Sequence, residues 1–267
     1  MYCQRKNCES SKMKIFKFIY LFFCVICLSG CTSSFPTKIV CPGTHRHHLQ
    51  DFALHNGKFY WSYANKIIIT DANGTLENMV DTPYHIGGMC IANDYIYVGL
   101  NLAKFNVPNE SNDYVYQYDL NLNLVKIYKI NDLACGVGGI AYNDNKFYVF
   151  GGANKKTKQL PIAQYSEDFK LEKIIELPFE ESPDGIQTMK FAYGKIWLTT
   201  YPILTATHST LVLDNNFKIV EKYNARFPYG MIPTNREYGE FIVTHSKKDP
   251  NTFARFTAWA TIENLTK

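Results

Sequence analysis

Residues 138–150 read Gly-Gly-Ile-Ala-Tyr-Asn-Asp-Asn-Lys-Phe-Tyr-Val-Phe, and a pattern of this kind occurs five times along the chain. Each copy contains an anchor, which is a pair of aromatic or aliphatic residues that opens its second half. The anchors recur after 37, 51, 49 and 45 residues, a period typical of a propeller blade made of four short strands. The five anchors are Phe59-Tyr60, Ile96-Tyr97, Phe147-Tyr148, Ile196-Trp197 and Phe241-Ile242.

Each copy predicts two strands joined by a tight turn. Eleven residues before the anchor stands a histidine or a glycine, and the apolar residue that follows it indicates the start of a strand. Shortly before the anchor come residue types that accept a positive φ and suit a hairpin turn. The first column consists of His48, His85, Gly136, Gly185 and Gly230, and the turn column of Gly57, Asp94, Asn145, Gly194 and Gly239.

Four copies carry a second turn, at 70–74, 118–122, 166–169 and 213–217, followed by alternating residues that indicate half-buried outer strands. The sequence therefore predicts an all-β fold, a five-bladed β-propeller over residues 37–267. An open all-β sandwich with short regular strands is the alternative. Because the last copy ends about one strand short of a blade, we expect residues 37–40 to supply that strand and to close the ring.

Composition and charge fit one exported domain. The 267 residues are 46% hydrophobic and 15% aromatic, which is enough for a full β core. The net charge of +4 comes from the first 30 residues, and the remainder holds 23 basic and 23 acidic residues. A nucleic-acid partner would need clustered Lys and Arg on one face, so we expect no nucleic acid.

The N-terminus predicts a targeting segment. Lys14 and Lys17 precede an apolar run over 18–28, and small residues follow it. This order is typical of a signal peptide, which we expect to be helical and to cover residues 1–30. Met13 is an alternative start for it.

The end of that segment, Leu28-Ser29-Gly30-Cys31, resembles the lipobox of bacterial lipoproteins at all four positions. The resemblance implies that Cys31 receives a thioether-linked diacylglycerol, that cleavage occurs before it, and that its amino group is acylated, for example with palmitate. Residues 31–36 would form a lipidated tether. Several acyl chains would hold the protein firmly at a membrane, and Thr32 after the cysteine implies the outer membrane of the cell envelope.

Long connections follow the second strand of four copies, at 101–113, 151–161, 201–209 and 246–252. In a propeller these loops and the starts of the first strands meet at one end of the ring, which we call the mouth. Tyrosine faces and His, Gln or Asp side chains there would suit a glycan or a peptide. The predicted ligand-binding residues are His48, Gln50, Tyr63, Tyr84, His85, Asp184, Gln187, Tyr201, Tyr229 and His245.

A metal-assisted hydrolase is an alternative interpretation of the same mouth. His48 and His85, together with His245 or Asp184, would give a divalent metal three ligands and an open position. No compact metal-binding or nucleophile motif accompanies them, and we expect no cofactor. Whether Cys41 and Cys135 form a disulfide bond is left open.

The blade motif, together with the Tyr-Asp-Leu hairpin at 118–120, resembles uncharacterised bacterial propeller lipoproteins and, more remotely, glutaminyl-peptide cyclotransferases. The resemblance covers roughly residues 45–262. In the cyclotransferases it implies a Gln in the first strand and a catalytic Glu in the second; Gln50 matches the former, whereas 59–62 contain no Glu. We expect a lipid-anchored binding or scaffold module that contacts a glycan, a peptide or an envelope protein, with an enzyme as the alternative.

Overall fold

The computed structural model describes residues 36–201, 210–225, 227, 229–250, 252 and 255–265. The expected signal peptide over 1–30, the alternative start at Met13 and the lipidation site Cys31 lie outside the described residues. The same holds for the tether up to residue 35 and for residues 202–209 of one predicted loop. Within the described part, no helix is both long and apolar enough to cross a bilayer.

The described chain forms five four-stranded antiparallel sheets, each of which is one blade. The first blade contains β2 (Leu49–His55), β3 (Lys58–Tyr63), β4 (Lys66–Thr70) and β5 (Leu76–Asp81). The second contains β6 (Ile86–Ala92), β7 (Tyr95–Asn101), β8 (Asp113–Asp119) and β9 (Leu124–Ile130). The third contains β10 (Val137–Asn143), β11 (Lys146–Gly151), β12 (Gln159–Ser166) and β13 (Leu171–Pro178), and a short 3-10 helix (Phe179–Glu181) follows it. The fourth contains β14 (Ile186–Ala192), β15 (Lys195–Thr200), β16 (Thr210–Leu213) and β17 (Ile219–Tyr223).

The fifth blade joins the two ends of the described chain. It contains β18 (Met231–Pro233), β19 (Glu240–Lys248), β20 (Phe256–Asn264) and, as its outer strand, β1 (Lys38–His45). β1 pairs antiparallel with β20, with Ile39 opposite Ala260. The predicted five-bladed propeller and its closure by the N-terminal strand are therefore confirmed, and the closing strand extends beyond the predicted residues 37–40 to His45.

The inner strands β2, β6, β10, β14 and β18 surround the axis in chain order, and β18 contacts β2 to complete the ring. Each inner strand has a hydrogen-bonded strand on one side only, so its other edge faces the axis. Apolar side chains pack between the first and second, second and third, third and fourth, and fourth and fifth blades. Burial of these side chains is the main favourable contribution to folding.

Short local hydrogen bonds set the outer hairpins. Oδ1 of Asp71 accepts the backbone N–H groups of Asn73 and Thr75, each at 2.8 Å. Asp119 and Asp214 do the same in the second and fourth blades at 2.8–2.9 Å. These Asx-type bonds explain why the second turn recurs in the sequence.

Near the mouth, the register between inner and second strands shifts in four blades. In the first blade Leu49 lies opposite Tyr63 and Asp51 opposite Ser62, which leaves Gln50 as the extra residue of a β-bulge. Gln187 has the same place in the fourth blade. A bulge of this kind redirects the extra side chain, and here it places both glutamines at the axis.

Glycine lets the second and third blades approach closely at the same level. A Cβ atom on Gly87 would lie 1.9 Å from the carbonyl oxygen of Gly138, and one on Gly139 would lie 3.0 Å from the Cα atom of Gly88. Both contacts involve backbone atoms, which cannot move aside independently of the strands. This side of the axis is therefore filled by backbone, and polar side chains fill the other side.

The described cysteines Cys41, Cys90 and Cys135 are free thiols. Cys41 and Cys135 are buried, in β1 and in the loop before β10, whereas Cys90 is half-buried in β6. Cys41 and Cys135, for which a disulfide bond was left open, are therefore not joined by one.

Replacement of Ile39 by alanine tests the closing strand. The Ile39 side chain is 1% exposed, so Ile39→Ala should lower the free energy of unfolding by about 2–5 kcal/mol. Val40 on the opposite face is 49% exposed, and Val40→Ala should change that free energy by less than about 1 kcal/mol. Urea denaturation measures both values, and equal effects of the two variants would contradict the described closure.

Candidate functional site

The mouth is built from the residues that begin the inner strands. His48 and His85 directly precede β2 and β6. In the third blade the same column holds Gly136, whose missing side chain leaves room for Phe105: a Cβ atom on Gly136 would lie 2.8 Å from the Phe105 ring. Phe105 belongs to the long loop after β7, so this loop reaches over the start of the next blade.

Buried asparagine holds that loop in place. Asn101 is 1% exposed, and its Oδ1 accepts the N–H groups of Ala103 at 2.8 Å and Asn112 at 3.1 Å. Further along, Oδ1 of Asn106 accepts the N–H of Ala153 at 2.8 Å. Because these bonds fix the backbone, Phe105 is held at a defined place in the mouth.

A chain of side-chain hydrogen bonds crosses the axis at the mouth, from Gln187 through Gln50 to His85. Nε2 of Gln187 donates to Oε1 of Gln50 at 3.0 Å and to the Gln50 carbonyl at 3.1 Å. The Gln50 amide oxygen is then an acceptor, so its Nε2 donates to Nε2 of His85 at 3.2 Å. This order makes His85 Nε2 an acceptor and puts the ring proton on Nδ1. That Nδ1 is buried and has no hydrogen-bond partner among the described residues.

His85 is neutral at physiological pH. Burial lowers its pKa from 6.5 to about 4, and His48 and His47 contribute in the same direction. Protonation would place a charge where the Gln50 amide already donates to the ring, which water cannot offset in a buried position. The hydrogen-bond chain from Gln187 to His85 is therefore uncharged.

Aromatic rings surround this chain. Tyr84 is 58% exposed, and its ring lies 4.8 Å from His47 and 5.0 Å from His85, between ring centroids. Phe105 packs edge-on against His85 at 5.6 Å.

A second group of rings lies around His48. Its ring centroid is 5.6 Å from that of Tyr229 and 5.9 Å from that of Phe256, and its Nδ1 donates to the Leu49 carbonyl at 2.8 Å. Burial raises the pKa of Tyr201 to about 12, with smaller contributions from Tyr84 and Tyr229. Phe105 and Phe256 are mouth residues that the sequence interpretation missed, although each belongs to or follows a long loop that it singled out.

The structure thus brings together most of the predicted site residues. His48, Gln50, His85 and Gln187 form the polar centre, and Tyr84, Tyr201 and Tyr229 lie around it. The other three, Tyr63, Asp184 and His245, have different surroundings.

Tyr63 is 0% exposed. Its ring packs 4.3 Å from His45 of β1 and neighbours the Cys41 thiol, whose pKa is raised to about 12 by burial. Tyr63 therefore joins the first blade to the closing strand rather than facing a ligand.

Asp184 pairs with Lys155 at the rim, and its carbonyl accepts a hydrogen bond from Asn106 at 3.4 Å. Its carboxylate is therefore engaged between two loops. The column position placed Asp184 at the correct end of the ring but could not reveal this partner.

His245 lies on a blade face and not with the other histidines. Its Nε2 is 2.7 Å from Oε1 of Glu263, and its ring stacks on Trp259 at 5.3 Å. The alternative metal site of His48, His85 and His245 is therefore not assembled. In the described part of the chain, no three His, Cys, Asp or Glu side chains are placed to hold a metal ion.

Below the glutamines a buried ion pair crosses the axis. Nζ of Lys190 lies 2.8 Å from Oδ2 of Asp51, with side chains 15% and 1% exposed. Oδ2 of Asp51 also accepts the N–H of Met89 at 2.9 Å. Burial raises the pKa of Asp51, and Lys190 opposes that rise. This pair links the first, second and fourth blades.

No protein-family model matches the chain, and no curated protein sequence matches it. Among solved structures it is similar to the computationally designed Ika8 protein, with a TM-score of 0.43 and 9% identity over 77% of this chain and 57% of that chain. It is also similar to the Pan2 WD40 domain of Neurospora crassa, with a TM-score of 0.44 and 10% identity over 82% of this chain and 77% of that chain. For BamB of Moraxella catarrhalis the TM-score is 0.39, with 10% identity over 78% of this chain and 57% of that chain. The chain thus spans little more than half of the Ika8 and BamB chains, and these similarities concern the fold alone.

The neutral state of His85 predicts a pH dependence of stability. Above pH 6.5 the ring is neutral in both the folded and the unfolded protein. As pH falls from 6.5 towards 4, the unfolded protein binds a proton that the folded protein does not, so stability is lost across this window. Between pH 7.5 and 5.0 the wild type should lose about 1–2 kcal/mol more unfolding free energy than His85→Gln.

Urea denaturation at the two pH values measures this difference. Glutamine keeps an acceptor for the Gln50 amide, and the other titrating groups are common to both proteins and cancel in the comparison. Equal losses in the two proteins would show that His85 protonates as readily when folded as when unfolded.

Proposed function

We propose that this protein is a lipid-anchored β-propeller of the cell envelope, a binding or scaffold module whose mouth takes a glycan or a peptide. The observation that carries the proposal is the exposed Tyr84 ring beside the uncharged chain from Gln187 through Gln50 to His85. Gln50 and Gln187 are buried and hold the His85 ring in place. A ligand would meet the Tyr84 and His85 rings, and a flat apolar face next to an imidazole suits a sugar ring or a peptide amide.

The charges at the mouth favour an uncharged ligand. His85 has its pKa lowered to about 4 by burial and is neutral, and the Asp184 carboxylate is engaged by Lys155. Neither glutamine carries a charge. At these groups a neutral glycan meets no charge that would need a compensating partner.

The Gln50 environment supports binding over cyclotransferase-like chemistry. The cyclotransferase resemblance would place a catalytic Glu near this glutamine. Instead, Gln50 hydrogen-bonds to Gln187 and His85, and the acidic neighbour Asp51 is paired with Lys190 beneath it. These contacts leave no unpaired acid beside Gln50 among the described residues, which supports a binding module over the cyclotransferase alternative.

Anchoring rests on the lipobox-like Leu28-Ser29-Gly30-Cys31. Lipidation of Cys31 would leave a short tether before β1 begins at Lys38. The propeller would then lie close to the membrane surface, and Thr32 favours the outer membrane. An envelope protein could share the same surface as a partner.

Substitution of Tyr84 tests the mouth. Tyr84→Ala should weaken binding of the glycan, found first by screening the wild type on a glycan array, by at least tenfold, or ~1.4 kcal/mol. The fold should be unaffected because the ring is mostly exposed. Isothermal titration with the selected glycan measures the change.

Tyr95→Ala is the matched control. Tyr95 is also partly exposed, at 36%, but it opens β7 at the opposite end of the ring. Its replacement should leave affinity unchanged. Binding that survives Tyr84→Ala would reject the mouth as the binding site. A ligand found only on a peptide array would reject the glycan and select the peptide.

The anchor has its own test. Cells grown with an alkyne-labelled palmitate should incorporate the label into the wild-type protein and not into Cys31→Ser, which should also leave the membrane fraction. Cys41→Ser, which changes a buried thiol of β1, should retain the label. Label in Cys31→Ser would contradict the proposed lipidation.

A further inference from the structure

A second concave site lies at the end of the axis opposite the mouth. This cavity of about 210 Å³ is enclosed by the second halves of all five inner strands, at 52–55, 89–91, 141–142, 189–191 and 232–233. None of the mouth residues contributes to its wall. The buried Gln50, Asp51 and Gln187 separate it from the mouth, since they are at most 3% exposed.

The wall of this lower cavity is mainly apolar, and none of the described residues that line it is acidic. Four lining side chains are polar, namely His55, Cys90, Tyr142 and Lys190. His55 is already paired with Asp94 at 3.3 Å. Tyr142 donates to Glu167 at 2.5 Å. Lys190 is the lysine of this wall, and although it is paired with Asp51 at 2.8 Å, its ammonium group has further hydrogens.

Lys190 has one hydrogen that can be redirected. Its ammonium group donates to Asp51 at 2.8 Å, to the Met89 carbonyl at 3.1 Å and to the Phe52 carbonyl at 3.4 Å. The last distance is longer than a normal N–H···O bond. An acceptor on a ligand could replace the Phe52 carbonyl without disturbing the ion pair.

The volume limits the ligand to about one ring. An apolar cavity of about 150 Å³ holds a benzene molecule, so 210 Å³ accommodates a six-membered ring with a small substituent. Phe191 and Ile232 provide apolar wall on the neighbouring inner strands β14 and β18. The ring would contact these walls while its substituent points along the axis to Lys190.

We propose that the lower cavity is a binding site for a compact ring that carries a carbonyl-type acceptor, either a carboxylate or a carboxamide. The acceptor oxygen takes a hydrogen bond from Lys190, and the apolar walls surround the ring. A carboxylate and a carboxamide both provide an oxygen that accepts this hydrogen bond. The ring that carries it could be a free molecule or the end of a larger one. The site is independent of the ligand at the mouth.

Benzoate and benzamide are the probes, with benzylamine as a ring of similar size that carries a cation. Saturation-transfer NMR on the full chain should show binding of at least one of the two acceptor probes, and binding of benzylamine at least tenfold weaker. The stronger of benzoate and benzamide identifies the preferred head group. Equal binding of benzylamine, or binding of none of the probes at millimolar concentration, would overturn the proposal.

Two variants locate the bound ring. Cys90→Phe fills the cavity and should weaken binding at least tenfold, whereas Cys90→Ala keeps the cavity open and should bind as the wild type does. Tyr84→Ala should also bind normally, because Tyr84 lies at the mouth. Undiminished binding by Cys90→Phe would place the probe elsewhere and reject the site.

The native thiol provides a measurement that does not depend on any variant. Cys90 is half-buried at the cavity wall, whereas Cys41 and Cys135 are buried elsewhere. Bound probe should slow alkylation of Cys90 severalfold, measured by mass spectrometry of its peptide, and leave the rates at Cys41 and Cys135 unchanged. An unchanged rate at Cys90 under saturating probe would contradict occupancy of this cavity.

Discussion

In a closed ring of blades the axis-facing edge of each inner strand has no neighbouring strand to bond with. The ion pair between Asp51 and Lys190 provides hydrogen-bond partners at this edge. Those edges carry backbone N–H and C=O groups that no neighbouring strand satisfies, and a buried unsatisfied group costs about 1–3 kcal/mol. Asp51 accepts the Met89 N–H at 2.9 Å, and Lys190 donates to the Met89 carbonyl at 3.1 Å. Removing one partner of such a pair costs about 3–5 kcal/mol, so the centre of the ring depends on both.

The ring is repeated in sequence but asymmetric at its axis. On one side the glycines of the second and third blades bring backbone against backbone, as at Gly87 and Gly138. On the other side the first and fourth blades contribute side chains long enough to fill the space, among them Gln50 and Gln187. The mouth is polar where side chains meet across the axis. Close glycine packing in two blades and hydrogen bonding between side chains of two others are therefore parts of one arrangement.

The sequence predicted the blades because their determinants are local. Spacing, alternation and turn residues fix the number of blades and their hairpins, and the missing outer strand followed from counting strands. A residue's place in the repeat gave its height along the axis, which placed Gln50, His85 and Gln187 correctly. It could not give the neighbours of a side chain: Tyr63 is covered by β1, which belongs to the fifth blade, and His245 meets Glu263 across a strand pair. Only tertiary contacts decide such partners.

The β-bulge at Gln50 in β2 is a second feature that the sequence pattern could not predict. One extra residue reverses which face every later side chain of a strand occupies, and nothing in the local pattern marks where it occurs. Its consequence reaches both ends of the axis. Gln50 turns to the mouth, and the next residue, Asp51, meets Lys190 of the fourth blade, whose amine borders the lower cavity. Consecutive residues of β2 thus face the mouth and the lower cavity, and the buried Gln50, Asp51 and Gln187 separate the two ends of the axis.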